Sequence, residues 1–319
     1  VPTTVGLIAN PAAGRDIRRL TAHASLVPNH EKASIVRRVL HGLAAAGVDT
    51  VVYLADNAGI VAAAVDGAQP PVAMDALDLR THGWASDSTE AARRLAAAGV
   101  GAIVTLGGDG TNRAVAAACG DVPLVAISTG TNNVFPTMVD GTVAGLAAGL
   151  VATGAVEADL VTTRSKRVEV RAGDSTDFAL IDAAACTDAF VGTRAIWDAR
   201  RVRALVLTRA EPWSVGLSAI GGSLRPVTSD EPIGLYVELG DGPEVRAVVA
   251  PGVVACVPVR GWRLLELDEP VAFGGDARTV ALDGERELAV DGGATATVAM
   301  TGPRVVDIRA TLRAVAGSD

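Results

Sequence analysis

Apolar and polar positions follow two different rhythms along this chain, and the change between them divides it. Through the first half, short apolar runs bounded by glycine or proline alternate with stretches whose apolar residues recur every three or four positions. Residues 5–9, 50–54, 72–74, 102–106 and 124–127 have the length and bounds of buried strands. Between them, residues 31–46 carry Ile35, Val39, Leu40 and Leu43 on one helical face and stop at Gly47. Residues 60–65, a stretch over 88–98 capped at Asp87 or Ser88, and a run opening at Thr111 also read as helices. Strands alternating with helices predict a parallel α/β sheet with right-handed crossovers.

After a helical stretch over 143–152 the rhythm changes. From about Asp159 the runs are short and β-rich: 168–171, 178–181, 233–239, 245–249, 280–282 and 295–300. Gly240-Asp241-Gly242 and Asp291-Gly292-Gly293 punctuate them as turns, which predicts antiparallel, sandwich-like sheets. A helical insertion is expected at about 193–220, and 308–316 reads as a closing helix. The expected organisation is an α/β domain over 1–155, a β-rich domain over 156–303, and a segment over 304–319 that packs back on the first.

Composition narrows the function classes. The chain has 319 residues, 49% of them apolar and 20% charged, enough for two well-filled cores. Its formal net charge is −8 and it has no Lys/Arg block, which argues against nucleic acid as a partner. The longest apolar stretch, 143–156, is too short to span a bilayer, and no basic n-region precedes an apolar start, so no membrane partner is expected. Cys119, Cys186 and Cys256 sit far apart among small apolar residues and read as buried free thiols, which suits a reducing cytoplasm. The four histidines lack metal-ligand spacing, and no protein metal site is assigned.

The densest chemistry follows the strand over 102–106, where the chain reads Gly107-Gly108-Asp109-Gly110-Thr111-Asn112-Arg113. Glycines let a backbone take positive φ and approach a ligand closely. The first turn of the next helix offers unpaired N–H groups and a positive dipole end, which suits phosphate. A carboxylate there repels an anion, so Asp109 needs a reason. Mg²⁺ binding and deprotonation of an attacking hydroxyl are two such reasons; a helix cap is the plainer one. Asn10-Pro11 and Ser128-Thr129-Gly130-Thr131-Asn132-Asn133 close two other strands of the same half. Ligands of open α/β sheets bind at carboxyl ends of strands, so these three loops are expected to converge on one crevice. Asn10, Gly107, Gly108, Gly110, Thr111, Asn112, Thr129, Thr131 and Asn132 are the expected phosphate or nucleotide contacts, with Asn133 turned to an acceptor. One of Arg15, Arg18 and Arg19 could clamp phosphate in bidentate fashion.

These residues resemble the superfamily that contains NAD kinases, diacylglycerol kinases and sphingosine kinases. Gly107 to Thr111 is similar to its signature, Asn10-Pro11-Ala12-Ala13-Gly14 to its first loop, Thr129-Gly130-Thr131-Asn132-Asn133 to its GTxN loop, and Asp283-Gly284-Glu285 to a turn of its β-rich domain. The runs from Asp16 to Ala24 and from Thr187 to Ala195 look like the branch called acetoin-catabolism protein X, which is named for operon context rather than a reaction. The resemblance implies a kinase using ATP with Mg²⁺, Asp109 as general base, NAD(H) as the first acceptor to consider, and a homo-oligomer, dimer or tetramer. It implies Thr187, Asp188 and Glu285 as acceptor contacts. Thr187-Asp188 stands where NAD kinases carry a paired Asn-Glu, so that grip is altered. Two alternatives remain: a diacylglycerol-type lipid kinase, whose basic or apolar membrane-facing surface this acidic chain does not display, and a non-catalytic nucleotide sensor linked to acetoin-type catabolism.

Overall fold

The computed structural model describes residues 2–13, 27–67, 69–130, 132–187, 201–284 and 286–317. Arg15, Arg18, Arg19, Thr131, Asp188 and Glu285 lie outside them.

Strands β1 (Thr4–Ala9), β2 (Thr50–Tyr53), β3 (Ala73–Ala76), β4 (Ala102–Gly107) and β5 (Leu124–Ser128) pair in parallel. They alternate with helices α1 (Asn29–Ala45), α2 (Ile60–Val65), α3 (Ala85–Ala97), α4 (Asp109–Ala116) and α5 (Gly141–Ala152). Period-two alternation sorts the two faces. Val5, Leu7 and Ala9 join the cluster beneath α1, α2 and α5, while Ile8 and Ile103 join Ala91, Leu95 and Val115 of α3 and α4. Helix α6 (Ala158–Val161) leads into β6 (Thr162–Arg164). That strand and the late β17 (Arg304–Val306) complete a seven-stranded sheet in the order β3-β2-β1-β4-β5-β17-β6. Only β6 runs antiparallel to its neighbour, and helix α8 (Ile308–Val315) rests beside the same half.

Residues between these elements form two antiparallel sheets. One holds β7 (Arg167–Ala172), β8 (Ser175–Ala179), β13 (Pro270–Ala272) and β16 (Ala294–Ala299) in the order β13-β16-β7-β8. The other holds β9 (Asp182–Cys186), β10 (Val202–Leu207), β11 (Ile233–Ala250), β12 (Val253–Glu266), β14 (Thr279–Leu282) and β15 (Arg286–Ala289) in the order β12-β11-β10-β9-β14-β15. Val168, Val170, Ala296 and Val298 face Ala183, Ala185, Val206 and Val280 between them. The opposite face of the six-stranded sheet is covered by the short helix α7 (Ser218–Gly222) through Ala219 and Ile220. The molecule is thus an α/β half with a mainly parallel sheet, followed by a β-rich half of antiparallel sheets.

The structure corrects several sequence expectations. Val202–Leu207 is a strand, and the described part of the expected helical insertion holds only the one short helix. Gly240-Asp241-Gly242 is an irregularity inside β11, where the register slips between Leu239 and Glu244; the real hairpin turn comes at Pro251-Gly252, with Gly252 at φ 75°. Helix α3 starts at Ala85 because Asp87 works from its first turn, accepting from the N–H groups of His82, Gly83 and Trp84. Cys119 and Cys186 are buried, whereas Cys256 is exposed on the edge strand β12. The glycines of α5 have a packing reason: a Cβ on Gly145 would lie 2.2 Å from the Val39 carbonyl oxygen, so α1 and α5 touch backbone to backbone.

Candidate functional site

The sheet order reverses between β1 and β4, since the chain moves outward through β2 and β3 and returns on the other side. Carboxyl ends on either side of such a switch open a crevice for ligands. Asn10 and Gly108 emerge there, where the Asn10 N–H donates to the Leu106 carbonyl at 3.0 Å and ties the end of β1 to β4. Asn10 Nδ2 donates to Thr111 Oγ1 at 2.8 Å, and Asn10 Oδ1 accepts from the Ala12 N–H at 2.8 Å. The loop after β1 is thereby clipped to the first turn of α4.

Gly107 and Gly108 answer to close approach rather than to positive φ. A Cβ on Gly107 would stand 2.4 Å from Thr111 Oγ1, and one on Gly108 would stand 2.7 Å from Asn133 Oδ1. Gly108 is extended, at φ −99° and ψ −168°, and neither Gly107 nor Gly110 is among the positive-φ residues. The loop after β5 therefore lies directly against the loop after β4. Asn133 Nδ2 donates to Ser128 Oγ at 2.9 Å, which fixes that approach.

Asp109 does not cap its own helix. Its carboxylate reaches across to the β5 loop and accepts from the Phe135 N–H at 2.8 Å and the Val134 N–H at 3.1 Å. This bond joins the second pair of loops, so all three strand ends meet. One expected contact leaves the site: Asn112 is fully buried, accepts from Thr105 Oγ1 at 2.7 Å and donates to the Gly108 carbonyl at 2.9 Å. It braces the glycine loop from inside and has no surface left for a ligand. Thr111 is also buried, behind its bond to Asn10. Thr129 is 1% exposed and its hydroxyl has no hydrogen-bond partner among the described residues. Asn132 is partly buried beside it.

Thr187 is not brought to these loops by any described contact. It follows β9, its N–H facing the Arg201 carbonyl at 3.4 Å. It stands five residues, roughly 17 Å of extended chain, beyond the Asp182 end of that strand. At the Asp182 end the two halves meet, with Leu180 and Ile181 packed among α3 and α4 residues.

Three charged residues that the sequence reading did not assign hold the region together. Lys32 of α1, fully buried, donates to the carbonyls of Asn10 at 3.1 Å, Pro11 at 3.0 Å and Ala13 at 2.7 Å. Asp283 opens the turn after β14 at φ 50° and accepts from the Leu180, Ile181 and Asp182 N–H groups at 3.0, 2.8 and 3.3 Å. Burial pushes its pKa up, against those bonds and the Arg113 charge. Arg209, two residues past β10, donates to the Val134 carbonyl at 3.1 Å and lies over the Phe135 ring at 5.7 Å. No spacing rule marks these three, because each acts on backbone groups far away in sequence. Among the described residues no group of three or more His, Cys, Asp and Glu could hold a metal ion, and no helix is long and apolar enough to cross a membrane.

Residues 5–155 match the family described as ATP-NAD kinase N-terminal domain, and residues 166–302 match the acetoin catabolism protein X C-terminal domain. Acetoin catabolism protein X of Cupriavidus necator is 40% identical over 331 residues, covering 98% of this chain and 92% of that protein. Among solved structures, a putative diacylglycerol kinase from Bacillus anthracis str. Sterne aligns at 15% identity with a TM-score of 0.46, covering 95% of this chain and 96% of that one. An NAD kinase from Archaeoglobus fulgidus in complex with ATP aligns at 14% identity with a TM-score of 0.44, covering 99% and 98%.

Proposed function

This chain belongs to the acetoin catabolism protein X family, and from that premise we propose that it is a phosphotransferase moving a phosphoryl group from ATP to a hydroxyl of a small molecule. The observation that carries the reading is the meeting of three loops at the switch point, with Asp109 bonded from the β4 loop to the Val134 and Phe135 N–H groups. Phosphoryl transfer asks a protein mainly for positioning and charge neutralisation. Asn10, Gly108 and Asn132 would line the phosphates, with Gly107 and Thr129 packed behind them, and Asp109 would take the acceptor proton. Its two N–H donors hold the carboxylate in a fixed direction, which a general base requires. Mg²⁺ would enter with the ATP phosphates, since it favours phosphate oxygens and water over an all-protein cage. NAD(H) is the first acceptor to test, with Thr187, Asp188, Asn133 and Glu285 as its proposed contacts. We further propose that the β-rich half contributes this acceptor side and that the protein works in the cytoplasm as a homo-oligomer.

The test is ADP and phosphorylated product by mass spectrometry, with ATP and Mg²⁺ across NAD, NADH and other hydroxyl compounds. Turnover with one of them supports the reading; no turnover across several nucleotides and metals counts heavily against it. One observation favours a second reading, a nucleotide-binding regulator: both Asp109 oxygens already accept N–H groups. ATP binding without turnover, and unchanged in Asp109→Asn, would select that reading.

A further inference from the structure

Arg209 is the one cation of the β-rich half that the described contacts bring onto the β5 loop beside Asp109. A guanidinium has five N–H donors in a planar fork. Among the described residues one of the five is used, on the Val134 carbonyl at 3.1 Å. The side chain is nonetheless held firmly: its stem follows the end of β10, and its charge sits 5.7 Å from the centre of the Phe135 ring. Arg209 is partly exposed and none of its nitrogens is a buried atom lacking a partner, so its unused donors are not sealed into the core. Burial depresses its pKa, while the carboxylates of Glu211 and Asp109 sustain its charge. Val134, which accepts from Arg209 through its carbonyl, donates through its N–H to Asp109. One peptide unit therefore links the cation and the carboxylate.

We infer that Arg209 is a phosphate-binding residue of this site, supplied by the second half of the chain. An arginine fixed by one edge and open on the other presents parallel N–H donors that match two oxygens of a phosphate group. Its position beside Asp109 adds a positive charge to the N–H dipoles and carboxylate of the described α/β loops, where the Lys32 ammonium is buried behind the β1 loop. The ligand class is a polyphosphate, as in a nucleoside triphosphate, and this inference rests on the proposed phosphotransferase reading. It adds a specific consequence: the phosphate site is complete only when both halves are together.

The test is calorimetric titration of ATP and of inorganic tripolyphosphate, each with Mg²⁺, into the full chain and its Arg209→Gln and Arg209→Lys variants at several KCl concentrations. Loss of a charge-assisted contact should weaken both probes about tenfold to a hundredfold in Arg209→Gln. It should also flatten the dependence of affinity on salt, because one screened cation is gone. Arg209→Lys keeps the charge but loses the planar fork, so it should weaken both probes while keeping the wild-type salt slope, a comparison with wild type that stands if Arg209→Gln fails to fold. Unchanged affinity in Arg209→Gln overturns the inference. So does a weakening of that variant with an unchanged salt slope, the mark of a residue that merely braces the loop. If the wild-type chain binds neither probe, the phosphotransferase reading itself fails and takes this inference with it.

Discussion

Arg113 Nε stands 3.7 Å from the Asp283 carboxylate, joining the helix that begins at Asp109 to the turn between β14 and β15. The same guanidinium lies 3.7 Å from Asp177, and the Asp283 side chain has no exposed surface. The proposed base thus lies four positions along one helix from an ion pair across the two halves. Truncating a buried paired charge strands its partner, and here it would also strand three backbone N–H groups. Asp283→Ala should cost about 3–5 kcal/mol of stability.

The pH dependence of that pair has a definite direction. Burial raises the Asp283 pKa above the ordinary carboxylate value. A carboxyl that holds its proton more tightly when folded favours folding fully below the unfolded pKa of about 3.9. The contribution is lost as pH rises through the native value. The stability advantage of wild type over Asp283→Asn should therefore shrink from pH 4 to pH 7 in denaturant titrations. An advantage that grows over that range would reject this account.

Asp109→Asn separates chemistry from architecture. Asparagine keeps Oδ1 for the Val134 and Phe135 N–H groups but sets an amide against the Val134 N–H where Oδ2 stood, so a modest drop in melting temperature is expected. With the base removed, kcat should fall by about 10²–10⁴ while ATP affinity holds or rises slightly. Kinetics on a folded variant with near-wild-type kcat would remove Asp109 from the mechanism.

The α/β half was largely legible because its signals are local. Val5–Ala9 and Ala102–Leu106 are apolar runs that could only be buried strands, and Gly107 to Thr111 announced the strand-to-helix turn. The β-rich half was harder to read. Val202–Leu207 follows a stretch rich in helix-forming residues, yet pairs with β9 and β11. Gly240 to Gly242 looked like a turn, but pairing with β12 on both sides carries the strand through it. Within the site, residue type showed which loops matter but not which way each side chain turns. Asn112 and Asp109 are three apart on one helix; the first points into the sheet at Thr105, and the second reaches the β5 loop. That choice depends on partners 7 and 26 residues away.

Lys166 gives a second pH-dependent measurement, with the opposite slope. It is 3% exposed and donates to the carbonyls of Thr228, Glu231 and Ile233 at 2.9, 2.7 and 2.7 Å. Burial pulls its pKa down to about 8. The unfolded chain then binds the proton more tightly, so the desolvation penalty is present in full below about pH 8. It is relieved as pH rises toward the unfolded value of about 10.4. Lys166→Met leaves three carbonyls without a donor and should cost about 2 kcal/mol or more at pH 7. In chemical denaturation the wild-type advantage over Lys166→Met should widen between pH 8 and pH 10; a constant difference would reject the shifted amine.

Gly107→Ala tests whether the signature glycine serves packing rather than backbone freedom. The added methyl would stand 2.4 Å from Thr111 Oγ1 and 2.5 Å from Thr111 Cβ, distances that force Thr111 to move. Moving it breaks the 2.8 Å bond from Asn10 Nδ2, which clips the β1 loop to α4. Overpacking of this kind costs about 1–3 kcal/mol, and the displaced Asn10 should weaken ATP binding as well. Gly47→Ala is the control: Gly47 sits at φ 81° with nothing within 4 Å of the new methyl, far from the loops. It should lose about 1 kcal/mol through backbone strain and leave ATP affinity unchanged. Denaturation and ATP titration on both variants decide the matter. If Gly107→Ala retains full ATP affinity, the close contact with Thr111 plays no part in shaping the site.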